Sequence, residues 1–440
     1  MKGIFIWILC LLFLPIGVGA RTWTLEQCMQ YAAENNIQLQ KAALTRKSAQ
    51  EDVRQSKAQL LPSLTFSTGQ NVTYTPWKRS GTATIAGDQV EINTQKTYYN
   101  GSYTVGANWT VWNANRNRNQ VKLNALSEQG AELDSMVSAR NIQEQIAMLF
   151  VQILYTKESI EVNKATLEAA RVNENRGQQM LEVGSMSRAD YSQLVAQRAQ
   201  DEYNVVQAES QARNYKRQLK ALLQITDEED FDVIAPHTTD EMALMPVPSM
   251  QTVYEAALQN RPELKKAQLS VKTAEMQGRM AKAQRLPTVN MNAAVGTNTT
   301  TMSDYAWENQ MKTNVNVGAG ISVSVPILDQ RLTRTAVNKA ELQRQQALLD
   351  VRDRETALYS TIENYWIQAM NNQSQYRAAR VSTQSAQDSY DLLSEQFALG
   401  LKNIVELQTG KTRLLQAQQN ELQSKYMAIL NIKLLEFYKQ

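Results

Sequence analysis

Histidine is almost absent from this chain, and its scarcity removes whole classes of chemistry. His237 is the only one among 440 residues, so nucleophilic triads, zinc clusters and proton relays built on imidazole lack their residues. Gly410-Lys411-Thr412 resembles the end of a phosphate-binding loop, but Val405 stands where the first glycine is required and no strand precedes it. The triplet is therefore read as helix surface, and the Glu/Asp–Lys/Arg pairs along the helices as solvated faces. With no catalytic constellation, cofactor motif or metal-ligand spacing in view, the expectation is a protein that is not an enzyme. Cysteine is nearly as scarce. Cys10 lies inside an N-terminal apolar run, which leaves Cys28 alone, so no internal disulfide can form. Cys28 is expected to be a small packed residue of the first helix. An excess of one charge is also missing: 46 basic against 43 acidic residues give a net charge of +3. That balance provides no electrostatic footprint for nucleic acid.

Long apolar runs are missing too, apart from Ile4 to Ile16, which follows Lys2 and precedes the small residues Val18-Gly19-Ala20. The pattern is that of a secretory signal peptide over residues 1–20, too short to span a bilayer as a helix. Beyond it no stretch approaches the ~18 apolar residues of a membrane helix, so entry into a membrane would have to be by strands. Proline and glycine are both absent between Arg331 and Leu399. An uninterrupted helix of that length runs about 100 Å. Leu332, Ala336, Ala340, Ala347, Val351, Leu358, Ile362, Tyr365, Ala369, Ala386, Tyr390, Leu393 and Phe397 form one narrow apolar stripe along it. Residues 114–183 match it, with only Gly130 and Gly177 inside. Each long helix ends at a glycine, Gly184 or Gly400, and a second proline-free run follows over 185–225 and 401–440. Two long hairpins with sharp tips are the expected result.

The hairpins belong to a tandem repetition. With residues 24–62 set over 249–287, an offset of 225, Ala32 meets Ala257, Asn35 meets Asn260, Lys57-Ala58-Gln59 meets Lys282-Ala283-Gln284 and Leu61-Pro62 meets Leu286-Pro287. Downstream the offset is 216, laying Leu181-Glu182-Val183-Gly184 over Phe397-Ala398-Leu399-Gly400. The repeats are 24–226 and 249–440. A linker over 227–248, which contains His237, is expected to be a solvated connection.

Between the helices the period changes from helical to two. Val315, Val317, Ala319, Ile321, Val323 and Val325 alternate with Asn316, Gly318, Gly320, Ser322 and Ser324. Tyr99, Gly101, Tyr103, Val105, Ala107, Trp109 and Val111 alternate with Asn100, Ser102, Thr104, Gly106 and Asn108. Weaker alternation runs from Leu64 to Tyr74 and from Val289 to Val295. Strands are expected at about 64–75, 99–112, 288–296 and 315–326, with outer loops over 76–97 and 297–313. Such runs fit barrel strands with lipid outside and water inside; the alternative is an ordinary half-buried hairpin. The small, uncharged inward set and the signal peptide favour the membrane. Four strands cannot close a membrane barrel, for which about eight are the minimum, so several chains would share one.

Strands inserted between very long helices, in two copies, resemble the TolC family of outer-membrane efflux and secretion channels. Leu25-Glu26-Gln27-Cys28-Met29 and Tyr254-Glu255-Ala256-Ala257-Leu258 are similar to the family's opening helices. Leu60-Leu61-Pro62-Ser63-Leu64 and Arg285-Leu286-Pro287-Thr288-Val289 resemble its helix-to-strand junctions, and Val323-Ser324-Val325-Pro326-Ile327-Leu328-Asp329 its return to helix. The resemblance implies an α+β, mainly α fold: long antiparallel helical hairpins forming a periplasmic tunnel, and four strands given to a shared twelve-stranded transmembrane barrel. It implies a homotrimer in the outer membrane of a Gram-negative bacterium, with outer-membrane lipid, a periplasmic adaptor (membrane fusion) protein and an inner-membrane pump as partners, and no cofactor. By the same resemblance, Val183, Gly184, Ser185, Leu399, Gly400 and Leu401 are adaptor-contacting tips, and Asp190, Lys402 and Glu406 belong to a periplasmic gate, with an Asp190–Lys402 link among its possible bonds. Phe397 stands where a gate tyrosine is common and Thr409 where a second aspartate can occur, so one hydroxyl link and one carboxylate ring are missing. The alternative reading is that Glu406 and Asp190 are acids favoured at a helix start. The rival readings are a constitutively open porin, and a non-conducting periplasmic adaptor or coiled-coil scaffold.

Overall fold

The computed structural model describes residues 21–77, 81–85, 88–92, 96–226, 231–235 and 239–439. The expected signal peptide and His237 lie outside them. In chain order the elements are β1 (Arg21–Trp23), α1 (Leu25–Asn35), α2 (Ile37–Ala58), β2 (Ser63–Tyr74), β3 (Gly81–Ile85), β4 (Asp88–Ile92), β5 (Thr97–Trp112), α3 (Arg116–Glu182) and α4 (Arg188–Leu223). They continue with β6 (Phe231–Val233), α5 (Thr239–Ala243), α6 (Met250–Asn260), α7 (Pro262–Ala283), β7 (Thr288–Thr300), α8 (Trp307–Thr313), β8 (Asn316–Ser324), α9 (Leu332–Ala398) and α10 (Ile404–Lys439). The described residues form two compact units, one within Met1–Lys41, Met136–Arg261 and Glu355–Gln440, the other within Ala42–Ser135 and Pro262–Arg354.

The long helices α3 and α9 each hold 67 residues. Both start the same way. A polar side chain accepts from the backbone four residues on, Asn113 from Asn117 at 3.2 Å and Asp329 from Thr333 at 2.9 Å. In each case two residues in the left-handed region intervene, Ala114-Asn115 and Gln330-Arg331, a conformation uncommon for non-glycine residues. Along α9 the buried positions include Ile362, Ala369, Tyr376, Tyr390 and Phe397. Their spacing in multiples of seven is that of helices wrapped in a left-handed supercoil. Tyr376 is a member the apolar stripe lacked, and Leu332 at its start is exposed.

The first unit holds the core. Cys28 and Ala32 of α1 pack with Ile146, Phe150 and Ile153 of α3, Leu219 and Leu223 of α4, and Ile429 of α10. Their repeat mates in α6, Val253 and Ala257, pack with Ile362 of α9 and Ile432 and Leu435 of α10. Cys28 is fully buried, and that burial pushes its thiol up to about 12, so it stays an inert packed residue.

The linker differs from the expected solvated connection. Its strand β6 pairs in parallel with β1, Arg21 opposite Phe231, and Phe231, Val233, Met242 and Ala243 are all buried. Asp232, between the two inward residues, meets Lys157 at 2.8 Å and Lys216 at 3.0 Å. Burial works to raise the Asp232 carboxyl, but the bonds from Lys157 and Lys216 outweigh it and leave the group below its ordinary value. Buried Lys425 reaches Glu158 at 2.5 Å and Asp240 at 3.3 Å. Gln373 donates to the carbonyls of Ala243 at 2.9 Å and Met245 at 2.6 Å. Thus Lys425 is buried and Asp232 half-buried, and their ion pairs tie the linker to the long helices instead of standing free in solvent.

The second unit carries the sheet, in the order β2-β5-β7-β8, with antiparallel neighbours throughout. Arg46 of α2 reaches Glu132 of α3 at 3.1 Å, and Lys266 of α7 pairs with Asp134. Strand β7 runs to Thr300, and α8 follows, so part of the segment expected as a loop over 297–313 is regular structure. Between β2 and β5, β3 and β4 pair as a small hairpin.

Candidate functional site

Two features are the candidates: the hairpin tips in the first unit and the sheet faces in the second. At the first tip Gly184 has φ +73°, its N–H donates to Leu181 at 3.0 Å, and that of Ser185 donates to Met180 at 2.8 Å. At the second, Gly400 has φ +74°, its N–H donates to Phe397 at 3.0 Å, and that of Leu401 donates to Gln396 at 2.9 Å. Both are Schellman stops, which need the positive φ that glycine adopts without a Cβ clash. Val183, Leu399 and Leu401 are left well exposed.

The return helices are capped alike. Ser187 accepts from the Asp190 N–H at 3.0 Å and donates its hydroxyl to the Asp190 carboxylate at 2.7 Å. Asn403 accepts from the Glu406 N–H at 2.9 Å, while the Asn403 N–H donates to the Glu406 carboxylate at 3.3 Å, closing a reciprocal box. Lys402 adds a bond to Glu406 at 2.6 Å. The Lys402 ammonium, and after it the Asn403 N–H, hold the Glu406 carboxyl below its usual value. Lys402 and Glu406 are therefore brought together. Asp190 bonds within its own tip, and no Asp190–Lys402 bond forms within one chain. Thr409 turns its hydroxyl back to the Val405 carbonyl at 2.7 Å. Phe397 is buried with Leu194, Tyr390, Ile404, Leu407 and Leu414, clamping the tip.

Above the tips lies a polar layer that the sequence reading missed. Lys411 of α10 and Asp201 of α4 form an ion pair joining the two hairpins, both side chains buried. Gln197 donates to the other Asp201 oxygen at 3.1 Å, and Asn173 of α3 donates to the Tyr390 hydroxyl at 3.4 Å. Gly410-Lys411, expected on the helix surface, is thus buried. The available signal was register: Lys411 falls seven residues after Ile404, and Asp201 seven after Leu194, both core positions of a heptad. Nearby, Leu194 faces Gly177 and Leu393 faces Gly410, so close that a Cβ on either glycine would collide. At the 216 offset Gly177 matches Leu393 and Leu194 matches Gly410, so the hairpins share one knob and hole with its members exchanged.

On the sheet, cross-strand partners share a side. One side shows Leu64, Phe66, Val105, Trp109, Met291, Val295, Val317, Ile321 and Val323; the other shows Ser67, Thr104, Asn108, Asn292, Gly320 and Ser322. No Asp, Glu, Lys or Arg occurs in these four strands. On β5 the apolar side carries Tyr99 near one end and Trp109 near the other. Ten residues of strand rise roughly 33 Å; at the tilt of a barrel, about 40°, they cover the ~25 Å apolar band of an outer-membrane barrel with aromatics at both rims. Among the described residues no helix is long and apolar enough to cross a membrane, and no cluster of His, Cys, Asp or Glu could hold a metal ion.

The comparisons with known proteins agree with this geometry. The family profile described as "OEP: Outer membrane efflux protein" matches residues 28–224 and 253–431. The chain is 24% identical to outer membrane protein TolC of Escherichia coli over 438 residues, 95% of this chain and 84% of that protein. It is likewise 24% identical to that of Vibrio cholerae over 439 residues, covering 95% and 93%. Its fold is similar to the outer membrane protein VceC of Vibrio cholerae, with a TM-score of 0.76 and 16% identity over 94% of this chain and 96% of that one. It is also similar to the Campylobacter jejuni CmeC outer membrane channel, with a TM-score of 0.77 and 15% identity over 94% and 85%. With both tandem repeats covered by the family profile, and with the helical hairpins and the two-faced sheet in place, this chain belongs to the outer membrane efflux protein family.

Proposed function

We propose that three copies of this chain form the exit duct of a tripartite efflux or type I secretion system, a passive conduit gated at its periplasmic tip. The observation that carries this reading is the sheet. It has one apolar face, one uncharged polar face and two open edges, and its four strands are too few to close alone. Three copies supply twelve strands and close the barrel, leaving no edge in lipid. The conduit performs no chemistry. Energy comes from an inner-membrane pump, and a periplasmic adaptor protein seats on the apolar tips around Val183 and Leu399. A periplasmic adaptor or coiled-coil scaffold would have no use for an apolar sheet face.

In this reading Glu406 and Asp190 line the narrow end. Three Glu406 carboxylates about one axis attract cations and repel each other, and Lys402 tempers that repulsion. Phe397, lacking a hydroxyl, contributes packing, and Thr409 leaves the second carboxylate ring empty. Single-channel recording in planar bilayers tests the assignment. The wild-type protein should show a small, cation-selective conductance, and Glu406→Ala should lose most of that selectivity. Equal selectivity in both forms removes Glu406 from the gate. A large, permanently open conductance favours a porin.

A further inference from the structure

The opening helix carries a cleft that neither the tips nor the sheet accounts for. It lies in the first unit, holds about 380 Å³, and is lined by Thr22 and Trp23 of β1 and by Gln27, Gln30, Tyr31 and Glu34 of α1. In α1 these positions follow the steps of three, four and seven that share one side of a helix, while Leu25, Cys28 and Ala32 turn the other side to the core. The two aromatic rings make a corner: Trp23 and Tyr31 have centroids 5.1 Å apart and planes at 80°. The Trp23 carbonyl accepts from the Ile234 N–H at 3.0 Å, and its ring lies 6.1 Å from that of Phe231, so the corner is held from behind. The Gln27 amide is fixed as well, its oxygen accepting from the Thr24 N–H at 2.9 Å, which leaves its NH₂ group to donate. Gln30 and Glu34 are exposed.

The internal repeat shows that the fold does not require this corner. At the offset of 225 the core positions keep their apolar character: Leu25 meets Met250, Cys28 meets Val253 and Ala32 meets Ala257. The aromatic positions do not, for Trp23 meets Pro248 and Tyr31 meets Ala256. The second copy packs its opening helix on α9 and α10 with neither ring at these positions.

We propose that the cleft binds a glycan of N-acetylated hexosamines, the polymer of the cell wall. A pyranose presents a face of C–H groups and a rim of hydroxyls. The rings of Trp23 and Tyr31 cover the first, and side-chain amides and a carboxylate bond the second. Gln27 and Gln30 offer both a donor and an acceptor to an acetamide group, and Glu34 accepts from hydroxyls. The lining includes no lysine or arginine and one carboxylate, which disfavours a phosphate or a carboxylate ligand and suits a neutral one. A volume near 380 Å³ lies in the range of small-molecule sites. Only the source of the glycan rests on the periplasmic placement of the hairpins; the recognition itself does not.

The test uses the full protein freed of residues 1–20, in detergent, with two probes. One is insoluble cell-wall sacculi; the other is N,N′-diacetylchitobiose, a soluble disaccharide without a peptide stem. Wild type should sediment with the sacculi and be displaced by diacetylchitobiose, but not by cellobiose, which lacks the acetamides. Gln30→Ala combined with Glu34→Ala alters only exposed side chains; it should bind about tenfold more weakly at an unchanged thermal midpoint. Tyr31→Ala, which installs the residue of the second copy, should lose displaceable binding while keeping its helical circular dichroism. Wild type that binds neither probe overturns the proposal, and so does a double variant that binds as wild type does. Displacement by cellobiose as effective as that by diacetylchitobiose overturns the N-acetylated class. Capture by lipopolysaccharide and not by sacculi overturns the cell wall as the source. Each of these failures leaves the exit duct standing, because the duct is tested by conductance and the cleft by binding.

Discussion

Glu406 makes three bonds at once, from Lys402, from the Asn403 N–H and through its own N–H to Asn403. All three hold the start of α10 to the tip. Because Lys402 and the Asn403 N–H favour the ionised form, the carboxyl sits below its ordinary value of 4.5. A depressed folded value means that these bonds contribute in full above pH 4.5 and are lost only as the pH falls through the lower folded value. Cation preference measured across planar bilayers should therefore persist in wild type at a pH where Lys402→Met has already lost it. Equal titration midpoints in the two proteins would show that Lys402 does not hold Glu406 in the assembled channel. This pairing was not anticipated from the sequence, where the family resemblance implied an Asp190–Lys402 link instead. The N-terminal box decides it, because Asn403 orients Glu406 back towards Lys402.

At the level of elements, the two hairpins are joined by the Asp201–Lys411 pair in a buried layer. Removing one member leaves the other charge buried without a partner, at a cost of ~3–5 kcal/mol, whereas replacing both by apolar groups of similar size is close to neutral or stabilising. Asp201→Ala should therefore lower the thermal midpoint followed by circular dichroism, and Asp201→Leu with Lys411→Met should recover it. A double variant as unstable as the single one would show that the layer's worth lies in the ion pair itself. Helices and strands were readable because each has a local period, and their ends were marked by Gly184 and Gly400. The linker was misread because burial depends on distant partners. A short segment with Phe231, Asp232 and Val233 looks solvated until Lys157 and Lys216 are seen to receive the aspartate.

For the whole molecule, the apolar sheet face needs lipid or detergent, and the open edges need another copy. Protein freed of residues 1–20 should aggregate when refolded without detergent, and in detergent it should sediment as an oligomer; a soluble folded monomer would contradict the shared barrel. Membership of the outer membrane efflux protein family, the mainly helical fold with few strands, and the site in the outer membrane all follow from patterns written along the chain. Those patterns are two offset copies, a seven-residue apolar spacing and an alternation of period two, each readable because it depends on neighbours in sequence. Folding alone settles which charged groups go inside and that the linker completes the core. These outcomes depend on side chains as far apart as Asp201 and Lys411, or Lys157 and Asp232. A charge far apart in sequence from its partner looks solvated until the chain folds and packing removes the water between them.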